Sequence, residues 1–141
     1  MTTQKVYLEH ANITVSNINE AVRFFQTAFP QFAIRGGGGE GKDKWLHLGD
    51  EHTYIALNQG KEEKLNNHPD YHVQGINHIG FVVDNVAEIS ERLEKAGFVR
   101  DYPKQIQKYR IRDYYADADG NQYEFVEYLS DSVEERNSYK D

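Results

Sequence analysis

Apolar and polar positions alternate from Tyr7 to Val15: Ala11, Ile13 and Val15 fall on one side of an extended chain, and His10, Asn12 and Thr14 on the other. This pattern predicts a strand with one face for a core and one for water or a polar cavity. The period then changes. Val22, Phe25 and Phe29 recur at helical spacing behind Asn17, a helix-capping residue type followed three positions later by Glu20, and Pro30 ends the run. Short strands are expected at 32–35, 44–48 and 53–58, with glycines 36–39 as a mobile hairpin tip and 49–51 as a turn.

The chain then repeats this plan. At an offset of 68 residues, the interval from His10 to His78, residues 76–83 fall on 8–15, Asn85 on Asn17, Glu88 on Glu20 and Ala96 on Ala28. Residues 122–125 fall on 54–57 at the same offset. A second strand is therefore expected over 75–83, then a helix with Val86, Ile89, Leu93 and Ala96 on one side, closed by Gly97. Strands near 98–101, 109–116 and 122–128 follow, the last two joined by a tight turn at 117–121. Residues 59–74, which carry His68, Pro69 and His72, are polar without periodicity and read as a linker; the charged tail 129–141 reads as frayed or as one short helix. The expected fold is α+β. Two tandem βαβββ modules, about 7–58 and 75–128, lie within one domain spanning 1–141 and form a curved mixed sheet with helices outside and a cleft on the concave side.

Composition narrows the function more than the fold. Ten tyrosines and seven phenylalanines within a 38% hydrophobic chain suffice for a packed interior, while a net charge of −7 argues against nucleic acid and anionic membrane surfaces. Without cysteine there is no disulfide, thiolate metal site or cysteine nucleophile. No apolar run approaches the roughly 20 residues that span a bilayer, and the N-terminus lacks the apolar core of a secretory signal. A cytoplasmic protein with a small-molecule substrate is the expectation.

The repeat also points to chemistry. It sets His10 and His78 at the same module position, and Glu124 shares a strand face with Gln122 and Val126 while Tyr123 and Phe125 turn to the core. Two imidazoles and one carboxylate converging on a cleft form a ligand set for one divalent ion with open positions; Fe, Mn, Ni and Zn all accept it. A lone histidine on a strand is more often structural, but a structural accident need not recur at the same module position. A carboxylate in a cleft without a cation is also costly. His47, His52, His68 and His72 lack such recurrence and read as structural or solvent-facing. Glu124 doubles as a candidate proton carrier, with Asn12, Tyr54, Tyr114 and Arg112 as candidate substrate contacts. The repeat aligns Glu124 with Ala56, so symmetry offers no fourth ligand.

The segments His10-x4-Val15-x-Asn17-x2-Glu20-x4-Phe25, Asn77-His78-Ile79-Gly80-x-Val82-Val83-Asp84 and Asp117-Ala118-Asp119-Gly120-Asn121-x2-Glu124-Phe125 resemble the vicinal oxygen chelate superfamily. That group holds glyoxalase I, bleomycin- and fosfomycin-resistance proteins and extradiol dioxygenases. The resemblance spans about 7–128 and implies paired βαβββ modules with a metal at the positions matching His10, His78 and Glu124. It further implies lyase, thiol-transfer or dioxygenase chemistry on an oxygen-rich or thiol-adduct metabolite. A homodimer with a shared cleft is implied too, His10 of one subunit facing His78 and Glu124 of the other. Glyoxalase I carries a glutamate where Ala56 stands, so its activity is not expected here. The competing reading is a metal-free binding protein of the bleomycin-sequestering type, which has no need of a His-His-Glu set; a scaffold for protein contacts ranks third.

Overall fold

The computed structural model describes residues 6–63 and 70–140, so His68 and Pro69 lie outside the described residues. The chain divides into two compact units, Met1–Glu63 and Lys64–Asp141.

Unit 1 runs β1 (His10–Val15), α1 (Ile18–Ala28), β2 (Ala33–Gly38), a single 3-10 turn (Gly41–Asp43), β3 (Trp45–Gly49) and β4 (Tyr54–Gln59). Its sheet has the order β1-β4-β3-β2. β1 lies parallel to β4 and the other pairs are antiparallel, so the sheet is mixed. The alternation along β1 is as expected, with His10, Asn12 and Thr14 exposed and Val15 buried. Asn17 caps α1 by accepting from the Glu20 amide at 3.1 Å. The core under this helix holds Phe24, Phe25, Leu48 and Leu57, each no more than 1% exposed.

Unit 2 repeats the order as β5 (His78–Val82), α2 (Val86–Lys95), β6 (Arg100–Ile106), β7 (Arg110–Ala116) and β8 (Gln122–Tyr128), followed by α3 (Val133–Arg136). Its sheet has the order β5-β8-β7-β6, with β5 parallel to β8. Asn85 caps α2 on the Glu88 amide, and Gly97 closes it with φ of 92°, a value that favours glycine. Both helices are also tied to their sheets at the N-terminus. Gln59 Oε1 accepts from the Ile18 amide and Glu127 Oε1 from the Val86 amide, both at 2.9 Å and both at the same position of the repeat.

Two expectations change. Gly36, Gly37 and Gly38 belong to β2, paired with His47, Leu46 and Trp45, rather than to a mobile tip. A Cβ on Gly37 would stand 2.7 Å from the Trp45 carbonyl oxygen, so this close strand approach is what requires glycine there. The turn comes later, at Gly39 with φ of 68°. β6 also extends past 101 to Ile106, and register shifts between Arg100 and Gln105 accommodate Pro103 on this edge strand.

Unit 2 has a charge in its core. Asp113 is 0% exposed and takes two bonds from Arg100 (Nε 2.7 Å, Nη2 2.8 Å), one from Ser90 Oγ (2.7 Å) and one from the Tyr114 amide (3.0 Å). Burial pushes its carboxyl up, but the Arg100 and Ser90 hydrogen bonds and the Arg100 charge outweigh that and hold it below the ordinary value. Asp117 goes the other way. Burial raises its pKa despite bonds from Asn121, the Asp119 amide and Tyr123 Oη. Among the described residues no helix is long and apolar enough to cross a membrane.

Candidate metal centre

In unit 2, His78 opens β5 opposite Gln122, and Gly80 stands opposite Glu124. A Cβ on Gly80 would lie 3.4 Å from Glu124 Oε2, in ordinary van der Waals contact with the carboxylate. That carboxylate sits between three partners. Oε2 lies 3.3 Å from His78 Nε2, Oε1 accepts from Tyr114 Oη at 2.9 Å, and Arg112 Nη1 is 3.8 Å from Oε1. Burial, and then the bond to Glu124, push the Tyr114 hydroxyl well above the ordinary phenol range, so it remains a donor. Arg112 Nη2 donates to Gln107 Oε1 at 2.9 Å, and the Tyr102 ring meets Tyr114 edge-on at 5.2 Å.

The far side of the imidazole decides what the near side can do. His78 Nδ1 lies 2.7 Å from Asn77 Oδ1. An amide oxygen only accepts, so Nδ1 is the nitrogen that donates to it, and in the neutral ring Nε2 carries the lone pair facing Glu124. In that form two acceptors face each other across 3.3 Å, with side chains only 27% and 13% exposed. Such an arrangement is favourable with a cation between them. Two donors bonded at about 2.1 Å to one small ion at right angles stand about 3 Å apart, so the donor set and its spacing fit a divalent ion.

In unit 1, His10 opens β1 opposite Tyr54. Its Nδ1 lies 2.8 Å from Glu9 Oε1, and its ring stacks on Tyr54 with centroids 4.6 Å apart and planes 10° from parallel. Tyr54 Oη donates to the same Glu9 oxygen at 3.3 Å. His47 stacks on Tyr54 as well, at 4.6 Å, with Trp45 5.2 Å beyond it, so a row of rings crosses β3, β4 and β1. Arg35 Cζ stands 4.3 Å from the Tyr54 centroid. Ala56 pairs with both Asn12 and His47, and the Asn12 side-chain Oδ1 accepts from Asn58 Nδ2.

The structure thus gathers His78, Glu124, Tyr114 and Arg112 on unit 2, and His10, Asn12 and Tyr54 on unit 1. Among the described residues no three histidine, aspartate or glutamate side chains of one chain group as a metal-holding set. His52 and His72 are exposed, as expected. His47, read as structural, shares the polar face of the sheet with His10 through Tyr54. Glu9 and Asn77 were not singled out from sequence, although the 68-residue offset sets one on the other, each directly before a histidine.

Fold and site together define a tandem βαβββ protein whose second unit presents a histidine–carboxylate pair. The chain belongs to the glyoxalase/bleomycin resistance protein/dioxygenase superfamily, whose family model matches residues 7–125. No curated protein matches it in sequence. Solved structures share the fold at low identity. The fosfomycin resistance protein FosX from Listeria monocytogenes is 20% identical with a TM-score of 0.69, over 94% of this chain and 99% of that one. A glyoxalase family protein from Bacillus cereus is 18% identical with a TM-score of 0.71, over 92% and 99%. A glyoxylase/bleomycin resistance protein/dioxygenase domain from Frankia sp. EAN1pec is 19% identical with a TM-score of 0.70, over 89% and 99%.

Proposed function

We propose that this protein is a divalent-metal-dependent enzyme acting on a small oxygen-rich or thiol-adduct metabolite, by lyase, thiol-transfer or dioxygenase chemistry. The observation that carries the reading is His78 Nε2 facing Glu124 Oε2 across 3.3 Å, with Nδ1 turned to Asn77 Oδ1. His10, at the matching position of the repeat, supplies the third ligand. A homodimer with a shared site brings His10 of one copy to His78 and Glu124 of the other. The ion, Fe, Mn, Ni or Zn, supplies Lewis acidity to substrate oxygens when bound.

The chain's own residues do the rest. Tyr114 holds Glu124 Oε1 and leaves Oε2 for the ion; Glu124 is also the candidate proton carrier. Arg112, half-buried beside Glu124, suits a negatively charged substrate group. Asn12 and Tyr54 offer polar and ring contacts from unit 1. Ala56 brings no carboxylate to the matching place, so a glyoxalase I reaction is not part of this reading. Support of a coarser kind comes from the FosX protein of Listeria monocytogenes, crystallised with Mn(II) and sulfate, and, as a mutant, with Mn(II) and a dihydroxypropylphosphonic acid. A cytoplasmic location belongs to the same reading, since no cysteine ties the fold to an oxidising compartment.

Metal analysis of protein purified without chelators tests this, followed by a panel of hemithioacetals, catechols and epoxides with each ion. We expect one equivalent per chain, lost on His78→Ala, and turnover of one panel class. Failure to take up any of the four ions on reconstitution would overturn the reading in favour of a metal-free binding protein.

A further inference from the structure

We infer that Glu9 is a positioning residue for His10, fixing the imidazole tautomer that leaves Nε2 free for a divalent cation; this deepens the metal reading above and rests on it. An exposed glutamate beside a histidine is, by itself, an ordinary surface contact, and these two side chains are 54% and 42% exposed. Three observations separate this pair from such a contact.

The first is chemical. Glu9 Oε1 lies 2.8 Å from His10 Nδ1, and an ionised carboxylate only accepts, so the proton resides on Nδ1. In the neutral ring Nε2 is then the nitrogen with a lone pair. The second is that the carboxylate is itself held. Tyr54 Oη donates to the same oxygen at 3.3 Å, and the Tyr54 ring lies flat against the imidazole, only 10° from parallel. One tyrosine thus fixes both the plane of the ring and the group that sets its proton. The third is the repeat. One module later Asn77 does the same to His78, its Oδ1 lying 2.7 Å from Nδ1. A side-chain oxygen on the residue before the histidine recurs although the residue type differs. Orienting partners of this kind, bonded to the distal nitrogen of a ligating imidazole, typically strengthen metal binding 10- to 100-fold.

The arrangement also explains a difference between the units. Unit 2 already has a carboxylate, Glu124, on the ion side of its histidine, and an amide suffices behind the ring. Unit 1 has Ala56 in that place, and its carboxylate stands behind the ring instead.

The test reads the tautomer directly. In metal-free protein at about pH 8, where imidazoles are neutral, 15N shifts of His10 should show a protonated Nδ1 and a bare Nε2. Glu9→Ala should move the proton largely to Nε2 and weaken Mn(II) or Ni(II) binding by calorimetry about 10-fold. Glu9→Gln, which keeps an oxygen acceptor as Asn77 does, should retain the tautomer and most of the affinity. An unchanged His10 tautomer in Glu9→Ala would overturn the inference, as would unchanged affinity in protein that binds metal. If the unaltered protein takes up no metal while the tautomer still depends on Glu9, it is the metal reading that falls.

Discussion

The two units agree in what folds them and differ in what they offer to a ligand. Both cap their helix with asparagine, both tie its first turn to the end of the last strand through Gln59 or Glu127, and both begin their first strand with a histidine. On the polar face the correspondence ends. Where β8 carries Glu124, β4 carries Ala56; across from these stand Tyr114 and His47. Unit 2 sets a carboxylate, Glu124, before Nε2 of its imidazole, whereas unit 1 sets its imidazole in a row of rings with a carboxylate, Glu9, at Nδ1. A duplicated fold can therefore be equal in its scaffold and unequal on its polar face, because cap bonds and sheet cores are satisfied within each unit.

The cores differ in one layer as well, and this gives the largest test of the comparison. Arg100 and Ile34 hold matching places, paired with Tyr115 and Leu48. Arg100→Ala would leave the Asp113 carboxylate buried without its cation and should cost about 3 kcal/mol in urea unfolding near neutral pH. Ile34→Ala, at a position 55% exposed, should cost under about 1 kcal/mol. The gap closes with acid. In the unaltered protein Asp113 is held below the ordinary aspartate value of 3.8, so its contribution is full above that pH and is lost as pH falls through the lowered value. In Arg100→Ala only the Ser90 and Tyr114 bonds still oppose burial, so the carboxyl takes up its proton at higher pH and the penalty shrinks as pH falls. Equal costs for the two variants near neutral pH would show that unit 2 gains nothing from its buried pair.

A smaller effect should separate the strand-to-helix ties. Gln59 accepts from Ile18 and its amide also donates to the carbonyls of Ser16 (2.7 Å) and Gly60 (2.9 Å), while Glu127 is seen to hold only the Val86 amide. Gln59→Ala should cost about 2 kcal/mol and Glu127→Ala about 1 kcal/mol by chemical denaturation. The reverse order would mean that the cap charge at α2 matters more than the number of bonds at α1.

Much of the scaffold was legible because it depends on near neighbours. Alternation marks β1, helical spacing and asparagine caps mark α1 and α2, and the offset of 68 residues ties the copies together. What escaped depends on partners distant in sequence. Three glycines look like a turn until Trp45 is found so close that a side chain would collide with it. Asp113 and Arg100 look like surface charges until their strands pair. The site divides in the same way. His10 and His78 stand out through the repeat and Glu124 through the alternation along its strand, but His47 does not. A 68-residue offset aligns it with Tyr115, whereas its cross-strand role matches that of Tyr114. One residue of slip between the hairpins exchanges the two faces of a strand, and no linear alignment displays that. Glu9 and Asn77 were within reach of the repeat, yet their meaning lies in which ring nitrogen they touch.

The most direct test pairs two defective chains. His10→Ala and His78→Ala, each expected to bind no divalent ion as a homodimer, are co-expressed with different tags and the mixed dimer is isolated. A site shared between copies predicts that this dimer regains one ion per two chains, because one of its two sites keeps an intact His10, His78 and Glu124. A mixed dimer that stays metal-free, or a His78→Ala homodimer that keeps its full complement, would contradict the account.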